Sequence, residues 1–267
     1  MSVRQEIRTL VVPPRSITLW WLGQAGLMVK SPGGKVVVID PYLTNSCEAF
    51  GRKAGYNLAR LVPPPIAPAD LVRVDLYALT HSHADHLDPE TVAGYRSAGG
   101  NGPYLAPAET SEKLIELGVP SEQIETIWPN KVYSLGDLTL RATFAIPPSE
   151  GDLTHVGYLI TIEDGPVLYL TGDTAYHEIL ATAVAPLQPD LLFTVINPAF
   201  SNMGPDQAAR LARELNVKRA IPCHYDLFPD NSLPPELFRT NLTRIGLADR
   251  YQPLEHGVAF TFSKEEP

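Results

Sequence analysis

Residues 80–88 read Thr-His-Ser-His-Ala-Asp-His-Leu-Asp, and no other stretch restricts the architecture as strongly. Three of the seven histidines, His81, His83 and His86, fall within six residues, with Asp85 among them. The preceding run Asp75–Thr80 (DLYALT) reads as a strand, and Pro89–Ser97 behind it reads as a short helix. Any fold must therefore put a strand-to-helix turn where imidazole and carboxylate groups can gather. A solvated polar loop is the plainer reading. However, imidazole and carboxylate are the donors that hold Zn, Mn or Fe. A strand end presenting His81 and His83, with the turn bringing in Asp85 and His86, can converge on two adjacent metal positions.

The rest of the chain supplies short strands in both halves. Ile17–Leu22 (ITLWWL), Gly26–Lys30 (GLMVK) and Lys35–Ile39 (KVVVI) are rich in β-formers, with the Pro32-Gly33-Gly34 turn before the third. Residues 44–70, with their run Pro63-Pro64-Pro65, read as a long loop or small insertion. Ala108–Leu117 reads as a helix. Leu138–Ala145, Val156–Ile162, Val167–Leu170 and Asp190–Ile196 read as strands. Pro205 opens a helix with Ala208, Leu211 and Leu215 on one face and Asn216 as a left-handed stop. A last inner strand ends at Ala220–Pro222, and Pro234–Arg244 is a further helix. Two packed sheets with helices outside and a doubly wound sheet both accommodate this pattern.

Composition narrows the class. With 44% hydrophobic and 19% charged residues in 267, the chain can bury a large core, and residues 1–267 are expected to form one domain. The 21 Lys+Arg against 30 Asp+Glu leave a net charge of −9, which disfavours a nucleic-acid partner. Only Cys47 and Cys223 are present, the N-terminus lacks an apolar signal region, and no run approaches 18 apolar residues. A cytoplasmic protein with no membrane partner is expected. Homo-oligomerisation is left open.

His81-x-His83-x-Asp85-His86 after a strand resembles the signature of the metallo-β-lactamase fold superfamily. Val36–Pro41 (VVVIDP), Tyr169–Thr174 (YLTGDT) and Ile221–Tyr225 (IPCHY) resemble the superfamily's other strand ends, in order, over roughly residues 16–230. The resemblance implies a four-layer αββα sandwich with metals at one edge. It implies that Asp173 bridges two metals and that His224 is the final ligand, with Asp85 and His86 beside it. It implies Zn or Mn, with iron a third candidate. One piece departs from the pattern: the histidine usual after Leu138–Ala145 is replaced by Ile146-Pro147-Pro148-Ser149-Glu150. His155 is the only histidine before the next strand, and with it the first metal would have His81, His83 and His155. Glu150 is the fallback donor, and a surface histidine is the plainer reading of His155.

Other residues carry weaker claims. Asp40 reads as an orienting group behind the ligands, and Asp88 as the cap of the following helix. Tyr225 and His177 are candidate pocket residues, with a packed aromatic and a helix-surface histidine as the alternatives. Cys223 should point away from the site, and His256 has no claim on it.

The Asn197-Pro198 and Asn202-Met203-Gly204-Pro205 segments and the tail Pro222-Cys223-His224-Tyr225-Asp226-Leu227-Phe228 resemble the branch that contains the L-ascorbate-6-phosphate lactonases. That branch implies a hydrolase acting on a small lactone, ester or phosphorylated substrate, with Asp85 as the proton carrier. A small-substrate phosphodiesterase and a metal-stabilised binding protein without turnover are the alternatives. A di-iron oxidoreductase is disfavoured, because that branch typically carries glutamate at the position of His83 and a flavin domain.

Overall fold

The computed structural model describes residues 2–147 and 154–264. The strands are β1 (Ser16–Gly23), β2 (Gly26–Lys30), β3 (Val36–Ile39), β4 (Leu76–Ala78), β5 (Tyr104–Ala106), β6 (Ile124–Thr126), β7 (Val132–Leu135), β8 (Leu138–Phe144), β9 (Val156–Ile162), β10 (Val167–Leu170), β11 (Leu191–Val195), β12 (Arg219–Cys223) and β13 (Ala259–Ser263). They form a seven-stranded sheet, β13-β1-β2-β3-β4-β5-β6, and a six-stranded sheet, β12-β11-β10-β9-β8-β7. The helices are α1 (Val3–Thr9), α2 (Cys47–Ala54), α3 (Pro89–Ser97), α4 (Ala108–Glu116), α5 (Glu178–Val184), α6 (Pro205–Glu214) and α7 (Glu236–Arg244).

Two-residue alternation along β1 explains the layering. Ile17, Leu19 and Trp21 face the second sheet and join Leu140, Tyr158 and Ile160 in one core. Trp20 and Leu22 face the other way, into a second core with Val92 and Tyr95 of α3 and Leu114 of α4. Helices α5, α6 and α7 cover the far side of the six-stranded sheet with Leu180, Leu211 and Leu242. The result is the four-layer sandwich, and the doubly wound alternative is excluded.

Several elements differ from the sequence reading. Residues 44–70 contain helix α2, stopped by Gly55 in the left-handed conformation, φ 84°. That segment is tied to α3 because Asp88, besides capping Glu90 N, accepts from the hydroxyls of Thr44, Ser46 and Thr91. Strands β5, β6 and β7 have only three or four residues each, too short for periodicity to register. The stop after α6 is as read: Asn216 has φ 52°.

The topology brings one set of strand ends together. Strands β3 and β4 run parallel in one sheet, and β10, β11 and β12 run parallel in the other. Asp40, Thr80–His81, Asp173 and His224 all follow the C-terminal ends of these strands. Strand β9 is antiparallel to β10, so its start, just after His155, lies at the same edge. Strand β2 is antiparallel to β3, so the β1–β2 turn arrives there too.

Candidate metal centre

Two donor clusters form at this edge. His81, His83 and His155 have nitrogen atoms that all lie within 4.8 Å of one another, and so do the donor atoms of Asp85, His86 and His224. The His81 and His155 rings are 4.0 Å apart and those of His81 and His86 are 3.9 Å apart. Asp173 meets members of both clusters. Its Oδ1 is 3.4 Å from both His86 Nε2 and His224 Nε2, and its backbone oxygen is 3.4 Å from His155 Nδ1. His81, His86 and His224 are fully buried or nearly so, while His83 and Asp85 are partly exposed and mark the side open to solvent.

The surrounding hydrogen bonds orient the donors. Both oxygens of Asp40 are occupied: Oδ1 accepts from Thr80 N at 2.8 Å, and Oδ2 accepts from Thr80 Oγ1 at 2.5 Å and from His86 Nδ1 at 2.9 Å. A proton of His86 is thereby fixed on Nδ1, which makes Nε2, facing Asp173, the nitrogen that a cation can take once its own proton leaves. The Thr80 hydroxyl has spent its proton on Asp40, so it accepts from His81 Nδ1 at 3.0 Å. That leaves the Nε2 lone pair of His81 facing His83 Nδ1, 3.0 Å away. Asp40 could be grouped with His81 and His86 by distance alone, but its three donors make it the orienting group that the sequence suggested.

The donors fit divalent cations. Two ligands at about 2.0–2.1 Å from a tetrahedral ion lie about 3.3 Å apart, close to the separations found here. His86 Nε2 and Asp173 Oδ1 are buried without a hydrogen-bond partner of good geometry among the described residues, although such groups are normally satisfied. A cation answers that deficit with charges of the right sign.

Electrostatics point the same way. Burial pushes the His81 imidazole well below its ordinary range, and the neighbouring imidazoles of His86, His155 and His83 add to this. Burial would also lower His86 and His224, but the Asp173 and Asp85 carboxylates outweigh it and raise both. Burial would raise Asp85 and Asp173; the His86 and His224 imidazoles outweigh it and hold both carboxyls well below the usual range. The apoprotein therefore keeps protons on His86 and His224 above the ordinary histidine value near 6.5, and a cation must displace them. Metal affinity should accordingly fall as pH drops and should still be rising with pH above about 6.5. Calorimetry in buffers of different ionisation enthalpy should detect proton release; occupancy that stays flat from pH 8 to pH 5 would contradict this.

Backbone conformation aims several of these groups. Gln24, Asp40 and His224 have φ of 50°, 46° and 59°, a left-handed conformation uncommon outside glycine. Gly172, φ 62°, turns the chain into Asp173, and a Cβ there would stand 2.7 Å from Val156 O and 3.2 Å from Thr80 Cβ. Gly172→Ala should cost about 1–2 kcal/mol for the conformation alone, with the backbone clash in addition. It should lower the melting temperature and metal uptake together; an unchanged melt would refute the close approach.

The two candidate pocket residues, His177 and Tyr225, take their plainer roles, and Cys223 and His256 stay outside the donor set as expected. His177 is exposed, and its Nδ1 accepts from Ile179 N at 3.1 Å as the cap of α5, so it serves the helix rather than the pocket. Tyr225 is buried with its ring 4.9 Å from that of Trp21, and it packs the core. Cys223 is buried in the core between the sheets. His256 packs against Trp21 with its ring tilted by 55°, 4.1 Å between ring centres. Glu150, the fallback donor, lies outside the described residues.

Two buried amides were given no site role by the sequence reading. Gln24 Nε2 donates to Asp85 Oδ2 at 2.9 Å, and Asn202 Nδ2 donates to Asp173 Oδ2 at 2.7 Å. Gln24 is the lone polar side chain in Trp20–Val29, which was a usable signal. Asn202 lies in a Pro- and Gly-containing turn, where asparagine is ordinary.

Known proteins resemble the chain over most of its length. The family model described as the beta-lactamase superfamily domain matches residues 35–225. A UPF0173 metal-dependent hydrolase of Cupriavidus taiwanensis is 33% identical over 243 residues, covering 83% of this chain and 79% of its own. A probable L-ascorbate-6-phosphate lactonase of Salmonella heidelberg is 25% identical, covering 89% of this chain and 77% of its own. Among solved structures, isothiocyanate hydrolase from Delia radicum gut bacteria superposes with a TM-score of 0.77 at 22% identity, covering 92% of this chain and all of the other.

Proposed function

The chain belongs to the β-lactamase superfamily and is a metal-dependent hydrolase, and we propose that it opens a small lactone or ester, phosphorylated substrates included, at a pair of divalent cations. The observation that carries this reading is the pair of three-residue donor clusters at one sheet edge, with the Asp173 carboxylate against the second and its backbone oxygen against His155 of the first. His81, His83 and His155 would hold the first cation, Asp85, His86 and His224 would hold the second, and Asp173 would serve both. Zn or Mn suits this mixture of imidazole and carboxylate, with iron a third candidate. Cations bound there would lower the pKa of a coordinated water to about 7 and so supply a nucleophile at neutral pH.

The chain's own groups do the rest. Asp40 and Thr80 hold the His86 and His81 rings in one tautomer, so no reorganisation is needed as charge develops. Asp85 is the one carboxylate of the second cluster, and it is partly exposed. Ionised and open to solvent, it is placed to relay a proton toward the leaving oxygen. The relative named as a probable lactonase supports a lactone over other esters. The net charge of −9 favours a small substrate over a nucleic acid. No helix among the described residues is long and apolar enough to cross a membrane, and the two free, buried cysteines suit a reducing compartment such as the cytoplasm.

The test is turnover on a lactone and ester panel beside bis-p-nitrophenyl phosphate, before and after chelation. Loss of lactone cleavage with EDTA and recovery with Zn²⁺ or Mn²⁺ is expected. Metal-dependent cleavage of the phosphodiester alone would establish the phosphodiesterase reading instead. A metal-induced thermal shift without turnover on any of these substrates would overturn the assignment of a reaction.

A further inference from the structure

Gln24 has no role in the donor set just described, yet its side chain ends inside it. The residue is completely buried at the β1–β2 turn. Its backbone is pinned from two sides: the carbonyl accepts from Trp21 Nε1 at 2.9 Å and from His224 N at 3.0 Å. The amide terminus is therefore delivered to a fixed place. That place is 2.9 Å from Asp85 Oδ2 and 3.3 Å from His224 Nε2, measured from the amide nitrogen. These are the spacings of neighbouring ligands around one ion, about 3.0–3.4 Å for octahedral and tetrahedral shells with bonds near 2.1 Å. The other end of the amide, Oε1, is buried and has no hydrogen-bond partner among the described residues.

These facts conflict with a purely structural amide. A buried amide oxygen left unsatisfied is costly. The NH₂ group also faces His224 Nε2 and Asp85 Oδ2, whose lone pairs a cation would need. A half-turn about the last side-chain torsion exchanges nitrogen and oxygen with almost no change of shape. With a cation there, it would direct a hard oxygen donor at the same point and turn the NH₂ away from both lone pairs. We infer that Gln24 supplies its amide oxygen as an additional ligand of the second cation, raising the coordination number there and biasing that position toward harder, higher-coordinate ions such as Mn²⁺ over Zn²⁺.

The inference rests on the two-cluster reading, and Co²⁺ as a probe separates the two. Its visible absorption is intense in four-coordinate sites and weak in five- or six-coordinate ones. The wild type should take up two Co²⁺, the second with weak absorption. Gln24→Leu, of similar volume but without a donor, should weaken the second Co²⁺ by about 10- to 100-fold, intensify its band and leave the first unchanged. Gln24→Glu retains the oxygen and should keep both the affinity and the weak band, which also controls for damage to the turn. A leucine variant that binds the second Co²⁺ with unchanged affinity and unchanged absorption would overturn the role of Gln24 alone. Failure of the wild type to take up a second Co²⁺ would overturn the two-cluster reading and this inference with it.

Discussion

Asp173→Ala is expected to strip both cations and abolish measurable turnover, a larger loss than any single histidine variant. The reason is charge. Asp173 faces His86 and His224 through one oxygen at 3.4 Å and is held by Asn202 through the other at 2.7 Å. A unit charge pair at 4 Å contributes about 4 kcal/mol at an effective dielectric constant of 20, or about a thousandfold in affinity. A bridging carboxylate makes that contribution to each of two divalent ions. The same removal leaves the raised His86 and His224 imidazoles short of a counter-charge. Metal content by plasma mass spectrometry, read beside activity, decides it. A variant that loses one metal and keeps the other would show that Asp173 does not bridge.

The second expectation is selective. His155→Ala should release the first cation and leave the second largely bound. The His155 ring lies 4.0 Å from that of His81 and 5.3 Å from that of His83, while Asp85, His86 and His224 form a cluster of their own. If about 10–16 kcal/mol is spread over four ligands, one imidazole contributes about 3 kcal/mol, more than a hundredfold in affinity. Turnover should fall with the first metal. Loss of both metals in parallel would mean that the clusters are coupled through His155; loss of neither would place the ring outside the metal shell.

Much of this centre was legible before any coordinates, for a physical reason. Candidate donors at strand ends sit in short segments whose residue types are chemically unusual, as at His81–His86 and Gly172–Asp173. The long strands were equally plain, since β1, β2 and β9 are runs of β-formers with few interruptions. His155 was legible only by elimination, because the prolines after β8 left the first metal short of donors; its nearness to His81 depends on β9 running antiparallel to β10, a tertiary fact. Helix α2 was hidden by the glycines and prolines around it. His177 was misleading because four residues after Asp173 suggests helical proximity, whereas the chain is extended at His177 and the helix begins only at Glu178. Gln24 and Asn202 are polar side chains whose partners are 61 and 29 residues away in sequence.

The most direct test of the two-cluster centre is an anomalous diffraction map of protein prepared without chelator and loaded with Zn²⁺ or Mn²⁺. Two peaks are predicted, one among His81, His83 and His155 and one among Asp85, His86 and His224, with Asp173 between them. A single peak, no peak, or a peak outside these six residues would contradict the account.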